Sequence, residues 1–227
     1  MSSDPRQLLK QVALFAHLTD EVLAGLTTHL RRRPFRRGTM IFHKDQAGDA
    51  LYIIETGRVR LFVPAAGGEE LTVDVAGPGE VFGELALLDG RPRSASAETL
   101  EDTVTHTLGR DEFQQHLAAT PAFAAALVEL LSTRLRHVTD YAESLAYLDV
   151  HARVARVLLE MAERYGIKAD GIEIDFDLTQ AELATMVGAT RERVNRALAS
   201  FRSQGLVELH GKKIVLRDPE RLRHRIY

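Results

Sequence analysis

The spacing of apolar residues along this chain changes near Thr120-Pro121. Before that point, between Thr39 and Leu108, apolar and polar residues alternate in short runs that end at turns such as Gly67-Gly68 and Gly77-Pro78-Gly79. A period of two bounded by turn residues indicates half-buried strands. Several such strands at regular intervals predict a β-roll of the jelly-roll type.

After Thr120-Pro121 the apolar residues follow a helical repeat. Spaced alternately four and three apart are Leu127, Leu131, Arg134, Val138, Tyr141, Leu145 and Leu148. This spacing is typical of a coiled-coil seam, so we predict a long helix that pairs with a second copy in a parallel homodimer. The alternative is that the stripe packs against strands of its own chain. Arg134 interrupts the seam, and a buried charge there needs a partner or a bound anion.

The C-terminal segment has the signals of two crossed helices. Thr179-Gln180-Ala181-Glu182 is a capping box that begins a helix. Gly188 suits a tight turn, and Thr190 can cap a second helix that extends to about Ser203. Two short strands joined at Gly211-Lys212 add a wing. This pattern predicts a winged helix-turn-helix.

These segments together predict an α+β chain in three parts. Residues 1–120 form the β-roll, residues 121–148 the dimerisation helix and residues 149–227 the winged helix-turn-helix. The third part has 14 Lys and Arg against 12 Asp and Glu, whereas the remainder has 15 against 20. The net charge of −3 therefore hides a mildly basic tail, which is a weak indication of a polyanionic partner.

Polar residues at the start of the second predicted helix point to double-stranded DNA. Arg191 and Arg196 have forked donors that pair with guanine O6 and N7, and Glu192 can accept from a cytosine amino group. Phosphate contacts fix the register without reading sequence. Residues placed for such contacts are Thr179, Gln180, Thr190, His210, Lys212 and Lys213. The alternative is an ordinary solvated helix face.

The stretch VFGELALLDGRPRSASA, Val81 to Ala97, indicates a pocket for a small ligand. A short helix beginning at Gly83-Glu84-Leu85 has free amides for an anion, and Arg93-Ser94 adds charged and hydroxyl donors. The Glu84 carboxylate would repel an anion unless it faces a hydroxyl, so we expect a ligand with both a phosphate and a sugar. The alternative is a capped turn followed by a surface loop.

Other classes of protein fit the sequence less well. The chain has no cysteine, which excludes disulfides and iron–sulfur clusters. Its nine histidines have no ligand spacing, so we expect no metal site and no enzyme of the cupin type. No signal peptide or membrane span is evident, and we expect a cytoplasmic protein. The arginine-rich run Arg31–Arg37 favours a solvated face over a nucleic-acid contact.

Two motifs carry a family resemblance, FGELALLDGRPRSA and TRERVNR, about 100 residues apart. With them the sequence resembles the cyclic AMP receptor protein family of bacterial transcription regulators (CRP/FNR), from about Phe15 to Leu216. The resemblance implies that Glu84 holds a ribose 2′-hydroxyl and that Arg93 and Ser94 hold a cyclic phosphate. It also implies a palindromic operator with half-sites like TGTGA and contact with RNA polymerase.

The resemblance leaves the base of the nucleotide open. In members that respond to cyclic AMP, two adjacent hydroxylated residues of the dimer helix meet the adenine, whereas this chain has Val138-Thr139. Thr139 of a second copy remains able to bond the base, and Arg134 can join the network of Glu84 and Arg93. We therefore expect cAMP first and cGMP second. A nucleotide-independent transcription factor with a vestigial pocket is the alternative.

Overall fold

The computed structural model describes residues 5–226, which form two compact units. Unit 1 contains the residues up to Pro64 together with Val73–Val138. Unit 2 contains Ala65–Thr72 and the residues from Thr139 onward. The segment Ala65–Thr72 is the tip of a strand hairpin, so unit 2 is built from two separate stretches of sequence.

Unit 1 is a β-roll flanked by helices. In chain order its elements are α1 (Pro5–Gln11), α2 (Asp20–His29), β1 (Arg31–Phe35), β2 (Met40–Phe42), β3 (Ala50–Thr56), β4 (Val59–Pro64), β5 (Glu70–Ala76), β6 (Val81–Phe82), α3 (Leu85–Asp89), β7 (Ser96–Thr99), β8 (Thr103–Gly109), α4 (Arg110–Ala119) and the first part of α5 (Pro121–Tyr147). The strands form two four-stranded sheets, in the orders β1-β8-β3-β6 and β2-β7-β4-β5.

The two sheets share one apolar core. Phe42 comes from one sheet, Tyr52 and Phe82 come from the other, and the three rings lie 4.9 to 5.9 Å apart. Ile54 and Ala97 are fully buried in the same cluster. Because inward-facing residues of both sheets meet there, the sheets pack face to face as in a sandwich.

A second core lies where the helices cover the roll. Phe123 of α5 stacks on Phe15 at 5.6 Å and meets the edge of Phe113 at 5.5 Å. All three rings are fully buried among leucines that include Leu9 and Leu127. This cluster holds the start of α5 firmly in unit 1 through apolar burial.

The arginine-rich run begins with an edge strand that the sequence patterns did not indicate. β1 pairs antiparallel with β8, with Arg33 opposite Thr105. Its arginines are exposed, and Arg32 Nε donates to Glu55 Oε2 at 3.0 Å. An edge strand tolerates charged side chains because they remain in solvent, and such charges also discourage pairing with other chains.

Helix α5 turns three positions of the predicted seam toward residues of its own chain. Leu127 is buried in the core of unit 1, Arg134 contacts Glu84, and Tyr141 donates to the Met186 carbonyl. These three side chains therefore face their own chain. A second set of apolar positions, again three and four apart, shares Leu131 and Val138 with the predicted seam and comprises Val128, Leu131, Leu135, Val138 and Ala142. We call this set the α5 stripe; Val128, Leu135 and Val138 are 64, 68 and 52% exposed.

Unit 2 contains the end of α5, further helices and a small sheet. After the end of α5 come α6 (Val150–Tyr165), β9 (Gly166–Ala169), β10 (Gly171–Ile174), α7 (Gln180–Val187), α8 (Arg191–Ser203), β11 (Val207–His210), β12 (Lys213–Leu216) and α9 (Pro219–Arg223). The strands form one sheet in the order β11-β12-β10-β9. The α+β class, with a β-sheet domain, a long helix and a C-terminal helix-turn-helix, is as predicted.

Within residues 5–226, no single helix is both long and apolar enough to cross a membrane. The helices α4 and α5 reach that length and composition only as a pair, and they are bent by 110° at their junction.

Candidate functional site

A cavity of about 350 Å³ opens in unit 1 between the roll and α5. Its lining residues are Phe42, Leu61, Val73, Asp74, Gly83, Glu84, Leu85, Ala86, Arg93, Ser94, Ala95, Leu131, Arg134, Leu135, His137 and Val138. The volume suits a small organic ligand. Mostly apolar walls with a few convergent charged groups are typical of a site that orients such a ligand.

Arg93 lies at the floor of this cavity with only 3% of its surface exposed. Its Nη1 donates to the Gly83 carbonyl at 2.5 Å and its Nη2 to the Ala50 carbonyl at 2.8 Å. The guanidinium also lies 4.3 Å above the Phe42 ring. Burial lowers the pKa of the Arg93 guanidinium from its ordinary value. The side chain is therefore a buried cation whose orientation is set by backbone carbonyls.

The charge of Arg93 is only weakly compensated in the chain. The carboxylate of Asp49 lies 3.9 Å from Nη2, but Asp49 is almost fully exposed to solvent. The Nε of Arg93 is buried and has no hydrogen-bond partner within residues 5–226. A buried charged donor without an acceptor is costly, so this position favours an anion with an oxygen near Nε.

Glu84 has the opposite charge and a similar degree of burial, at 1% exposed. One carboxylate oxygen, Oε1, accepts from Arg134 of α5, and Arg134 also donates to the Val81 carbonyl. The other oxygen, Oε2, is buried and finds no hydrogen-bond donor in the part of the chain that the structure describes. Arg134 thus joins the cavity through Glu84, which accounts for a charged residue in the middle of an otherwise apolar helix face.

The two unpartnered atoms test whether a cyclic nucleotide fits the cavity. Arg93 Nε is a donor that lacks an acceptor, and Glu84 Oε2 is an acceptor that lacks a donor. A cyclic nucleotide has a phosphate oxygen for the first atom and a ribose 2′-hydroxyl for the second. The residues present therefore match both polar ends of such a ligand.

Six of the seven residues predicted from the sequence as ligand contacts line the cavity. They are Gly83, Glu84, Leu85, Arg93, Ser94 and Arg134. Ser94 and Leu85 are exposed at its surface. Thr139, the seventh, is exposed on α5 and lies outside the lining of its own chain's cavity.

Several lining residues were missed by the sequence analysis. Phe42, Leu61, Val73 and Asp74 come from three different strands, and His137 comes from α5. No short motif connects them, because strand pairing brings them together. Alternation along β4 and β5 marks residues on a shared face but does not identify a ligand contact.

The helix-turn-helix has the caps that the sequence predicted. The Glu182 amide donates to Thr179 Oγ1 at 3.1 Å and the Thr179 amide to Glu182 Oε2 at 2.6 Å, which completes the capping box of α7. Gly188 adopts a left-handed φ of 64° at the C-cap of α7. Thr190 then caps α8 by accepting from the Arg193 amide at 3.4 Å. Side-chain caps of this kind define where each helix begins.

The start of α8 presents a charged, solvent-accessible surface. Arg191, Glu192 and Arg196 are all exposed. Arg196 Nη2 lies 3.1 Å from Glu192 Oε1, one helical turn earlier. An exposed pair of this kind contributes little to stability, so both groups can exchange their mutual contact for a base edge.

The remaining residues predicted for phosphate contact lie at the helix caps and in the wing. Thr179 and Thr190 use a hydroxyl lone pair for capping and retain a proton to donate. His210 and Lys212 are exposed at the turn between β11 and β12. Lys213 lies 3.7 Å from Glu173 and 3.8 Å from Asp175, so its charge is partly neutralised within the domain.

Both the β-roll and the helix-turn-helix match known protein families. Residues 32–120 match the family described as cyclic nucleotide-binding domain. Residues 152–225 match the family described as Crp-like helix-turn-helix domain. Together, the cavity and the winged helix define the class of a DNA-binding transcription regulator with a cyclic nucleotide-binding domain.

Full-length relatives define the family more closely. The chain is 36% identical over 220 residues to the CRP-like cAMP-activated global transcriptional regulator of Mycobacterium tuberculosis, covering 96% of this chain and 98% of that one. It is 34% identical over 210 residues to the cyclic AMP receptor protein of Thermus thermophilus, covering 92 and 94%. The structure of FixK2 from Bradyrhizobium japonicum is similar, with a TM-score of 0.79, 26% identity, and 86 and 96% of the two chains covered. The chain belongs to the CRP/FNR family of transcription regulators, and these relatives are regulators rather than enzymes.

Gly83→Ala tests the backbone around the cavity. Gly83 has a φ of 84°, and a Cβ there would lie 2.6 Å from Arg93 Nη1. We expect the free energy of unfolding to fall by about 1–2 kcal/mol, because an L-residue is strained in the left-handed region. Urea denaturation measures the change.

The matched control is Gly25→Ala within α2, where a Cβ meets nothing within 4 Å. It should stabilise the protein by about 0.4–1 kcal/mol, because alanine restricts the unfolded chain. Equal stability of Gly83→Ala and the unsubstituted protein would contradict the strained-turn interpretation.

Proposed function

We propose that this protein is a homodimeric, cytoplasmic transcription regulator that binds cAMP and, in response, a palindromic operator with half-sites like TGTGA. The observation that carries the proposal is the pair of buried, unpartnered atoms in the cavity, Arg93 Nε and Glu84 Oε2. One suits a phosphate oxygen and the other a hydroxyl. A cyclic nucleotide carries both groups on its fused sugar and phosphate rings.

The choice of cAMP rests on relatives and on the cavity walls. The relatives from Mycobacterium tuberculosis and Thermus thermophilus are described as cAMP-activated and as a cyclic AMP receptor protein. Leu61, Leu135 and Val138 supply apolar surface for a purine, and Ser94 supports Arg93 at the phosphate end. cGMP is the second candidate, because the same cavity accepts either purine by size.

A nucleotide-independent regulator is the second candidate function. Val138 lines the cavity where cAMP-responsive members of the family have a hydroxylated residue. The loss of that hydroxyl removes one hydrogen bond to the base, which favours a weaker or absent response. If the ligand is cAMP, Thr139 of a second copy is the remaining hydroxyl that can bond to the base.

The dimer is supported by the α5 stripe. Val128, Leu135 and Val138 are each more than half exposed although apolar. Their heptad spacing with Leu131 and Ala142 is that of a two-stranded coiled coil. Pairing of two α5 helices would bury this stripe and bring Thr139 of the second copy toward the cavity.

The DNA contacts follow from the exposed start of α8. In the proposal Arg191, Glu192 and Arg196 read base edges in the major groove. The predicted phosphate contacts are Thr179, Gln180, Thr190, His210 and Lys212. A twofold dimer requires half-sites about 34 Å apart.

Regulation requires two states with different affinities for the nucleotide. We propose that residues 1–120 bind the nucleotide, 121–148 form the dimerisation helix and 149–227 bind DNA. In this proposal a change in the cavity reaches α5 through Arg134, because that side chain bonds directly to Glu84. Contact with RNA polymerase rests on the family resemblance alone.

The first test of the ligand is isothermal titration with cAMP and, separately, cGMP. We expect Arg93→Ala to weaken binding roughly 10- to 150-fold, since a charged hydrogen bond is worth about 1.5–3 kcal/mol. Arg91→Ala, two residues earlier and 84% exposed at its side chain, is the control and should bind normally. No binding of either nucleotide, with operator affinity intact, would support the nucleotide-independent regulator.

Arg191→Ala tests whether Arg191 reads a base. It should weaken the free energy of binding to a TGTGA palindrome by about 1–3 kcal/mol and binding to random DNA by much less. Fluorescence anisotropy at constant salt gives both affinities. Arg202→Ala, exposed in the last turn of α8, is the matched control. If Arg191→Ala loses equal affinity on both DNAs, Arg191 contacts phosphate and does not read a base.

For the dimer, Leu135→Glu places a charge in the middle of the α5 stripe. We expect it to shift the protein from dimer to monomer in sedimentation velocity, because unpaired charges are costly in an apolar seam. Thr133→Glu, exposed on the same helix outside the stripe, should leave the dimer intact. A Leu135→Glu protein that remains dimeric would place the interface elsewhere.

A further inference from the structure

The turn between α7 and α8 is covered by two parts of the chain that are far apart in sequence. Leu71 and Thr72 come from the tip of the β4–β5 hairpin, and Tyr141 and Leu145 come from the end of α5. All four residues lie in unit 2 with the helix-turn-helix itself. We call these four residues the turn clamp.

The two leucines pack directly on the turn. A Cβ built on Gly188 would lie 3.0 Å from Leu145 Cδ2 and 3.1 Å from Leu71 Cδ1. These contacts are close even for a hypothetical methyl group, so glycine leaves just enough room for both leucines. The turn is therefore packed on by one leucine of the hairpin and one leucine of α5.

Tyr141 fixes the end of α7 by a hydrogen bond. Its hydroxyl donates to the Met186 carbonyl at 3.0 Å. Met186 is in the last turn of α7, where carbonyls have no intrahelical donor. Burial raises the pKa of Tyr141 to about 12, so the hydroxyl keeps its proton at neutral pH and remains a donor. Phenylalanine would fill the same space without this bond.

Thr72 makes the matching polar contact from the hairpin. Its Oγ1 lies 2.8 Å from Thr185 Oγ1, and Thr72 is only 4% exposed. The Thr185 hydroxyl donates its proton to the Glu182 carbonyl at 2.8 Å. Because each hydroxyl has one proton, Thr72 is the donor in the pair. The Thr72 hydroxyl therefore has this acceptor only while the hairpin tip stays on α7, whereas Thr185 keeps its own bond to Glu182.

The same two elements also line the ligand cavity. Val73 and Asp74 follow Thr72 directly along β5, and Val138 precedes Tyr141 by one turn of α5. A strand and a helix transmit small displacements along their length because their backbone hydrogen bonds resist deformation. Clamp residues and cavity residues are thus one to three positions apart along both elements.

We propose that Thr72 and Tyr141, with Leu71 and Leu145, are positioning residues that couple the state of the cavity to the orientation of the helix-turn-helix. The inference rests on the proposed function, since it requires a nucleotide that changes DNA affinity. It adds the contact through which that change reaches the turn. Coupling between sites needs a discrete element that both sites bias, and the clamped turn is such an element.

The test compares Tyr141→Phe and Thr72→Val with the unsubstituted full-length protein. For each protein, the operator Kd is measured by anisotropy with and without saturating cAMP, and again with cGMP. The coupling factor is the operator Kd without nucleotide divided by the operator Kd with nucleotide. We expect each variant to bring this factor roughly 2- to 10-fold closer to one, because each loses one buried hydrogen bond.

Tyr147→Phe is the matched control, since Tyr147 lies on the same helix and is 83% exposed. Its coupling factor should equal that of the unsubstituted protein. Linkage requires the operator to change nucleotide affinity by the same factor, so titration calorimetry of the operator complex provides an independent second readout. A general loss of fold would lower operator affinity with and without nucleotide alike and leave the ratio unchanged.

The outcomes separate this inference from the proposed function. If the unsubstituted protein has a coupling factor above one and both clamp variants keep it, the clamp inference is wrong while the proposed function stands. If the unsubstituted protein has a factor of one with both nucleotides, the proposed ligand response is wrong and the clamp inference falls with it. A reduced factor in both clamp variants, with Tyr147→Phe unchanged, supports the inference.

Discussion

The contact between the buried carboxylate of Glu84 and the guanidinium of Arg134 is the interaction on which the cavity depends. A carboxylate that is 1% exposed needs a compensating cation, because water no longer stabilises its charge. Arg134 supplies that cation from α5 and gives a second N–H to the Val81 carbonyl. Removing Arg134 would leave the buried Glu84 carboxylate uncompensated, so this pair fixes one wall of the cavity to the helix.

The cavity and the DNA surface meet different electrostatic demands. Arg93 is buried, and two backbone carbonyls set its direction. Arg196 is exposed, and its contact with Glu192 is screened by water. A preorganised cation suits a small anion that must be selected, whereas mobile surface charges suit a long polyanion whose phosphates are met at many points. The turn clamp contacts the end of α7, next to the DNA surface in the same unit.

Local chemistry explains what the sequence patterns predicted well. Thr179 caps α7 together with Glu182, and Thr190 caps α8 through the Arg193 amide. Each cap acts within three residues, so its spacing is enough to predict where the helix begins. The edge strand Arg31–Phe35 was not predicted, because pairing with β8 establishes it. Leu127 and Tyr141 of the predicted seam face their own chain, and Arg134 contacts Glu84 as expected. Period alone does not distinguish a helix face on its own domain from a face open to a partner.

By itself the sequence determined the α+β class, the order of the parts, the helix caps and the motif that contains Glu84 and Arg93. Those features depend on side chains close together in the chain. Only the tertiary structure decided which of the apolar positions of α5 remain exposed, that Arg93 Nε and Glu84 Oε2 are left without partners, and that Thr72 meets Thr185. These depend on residues separated by tens of positions, which pairing of strands and packing of helices bring into contact, and no local pattern records that packing.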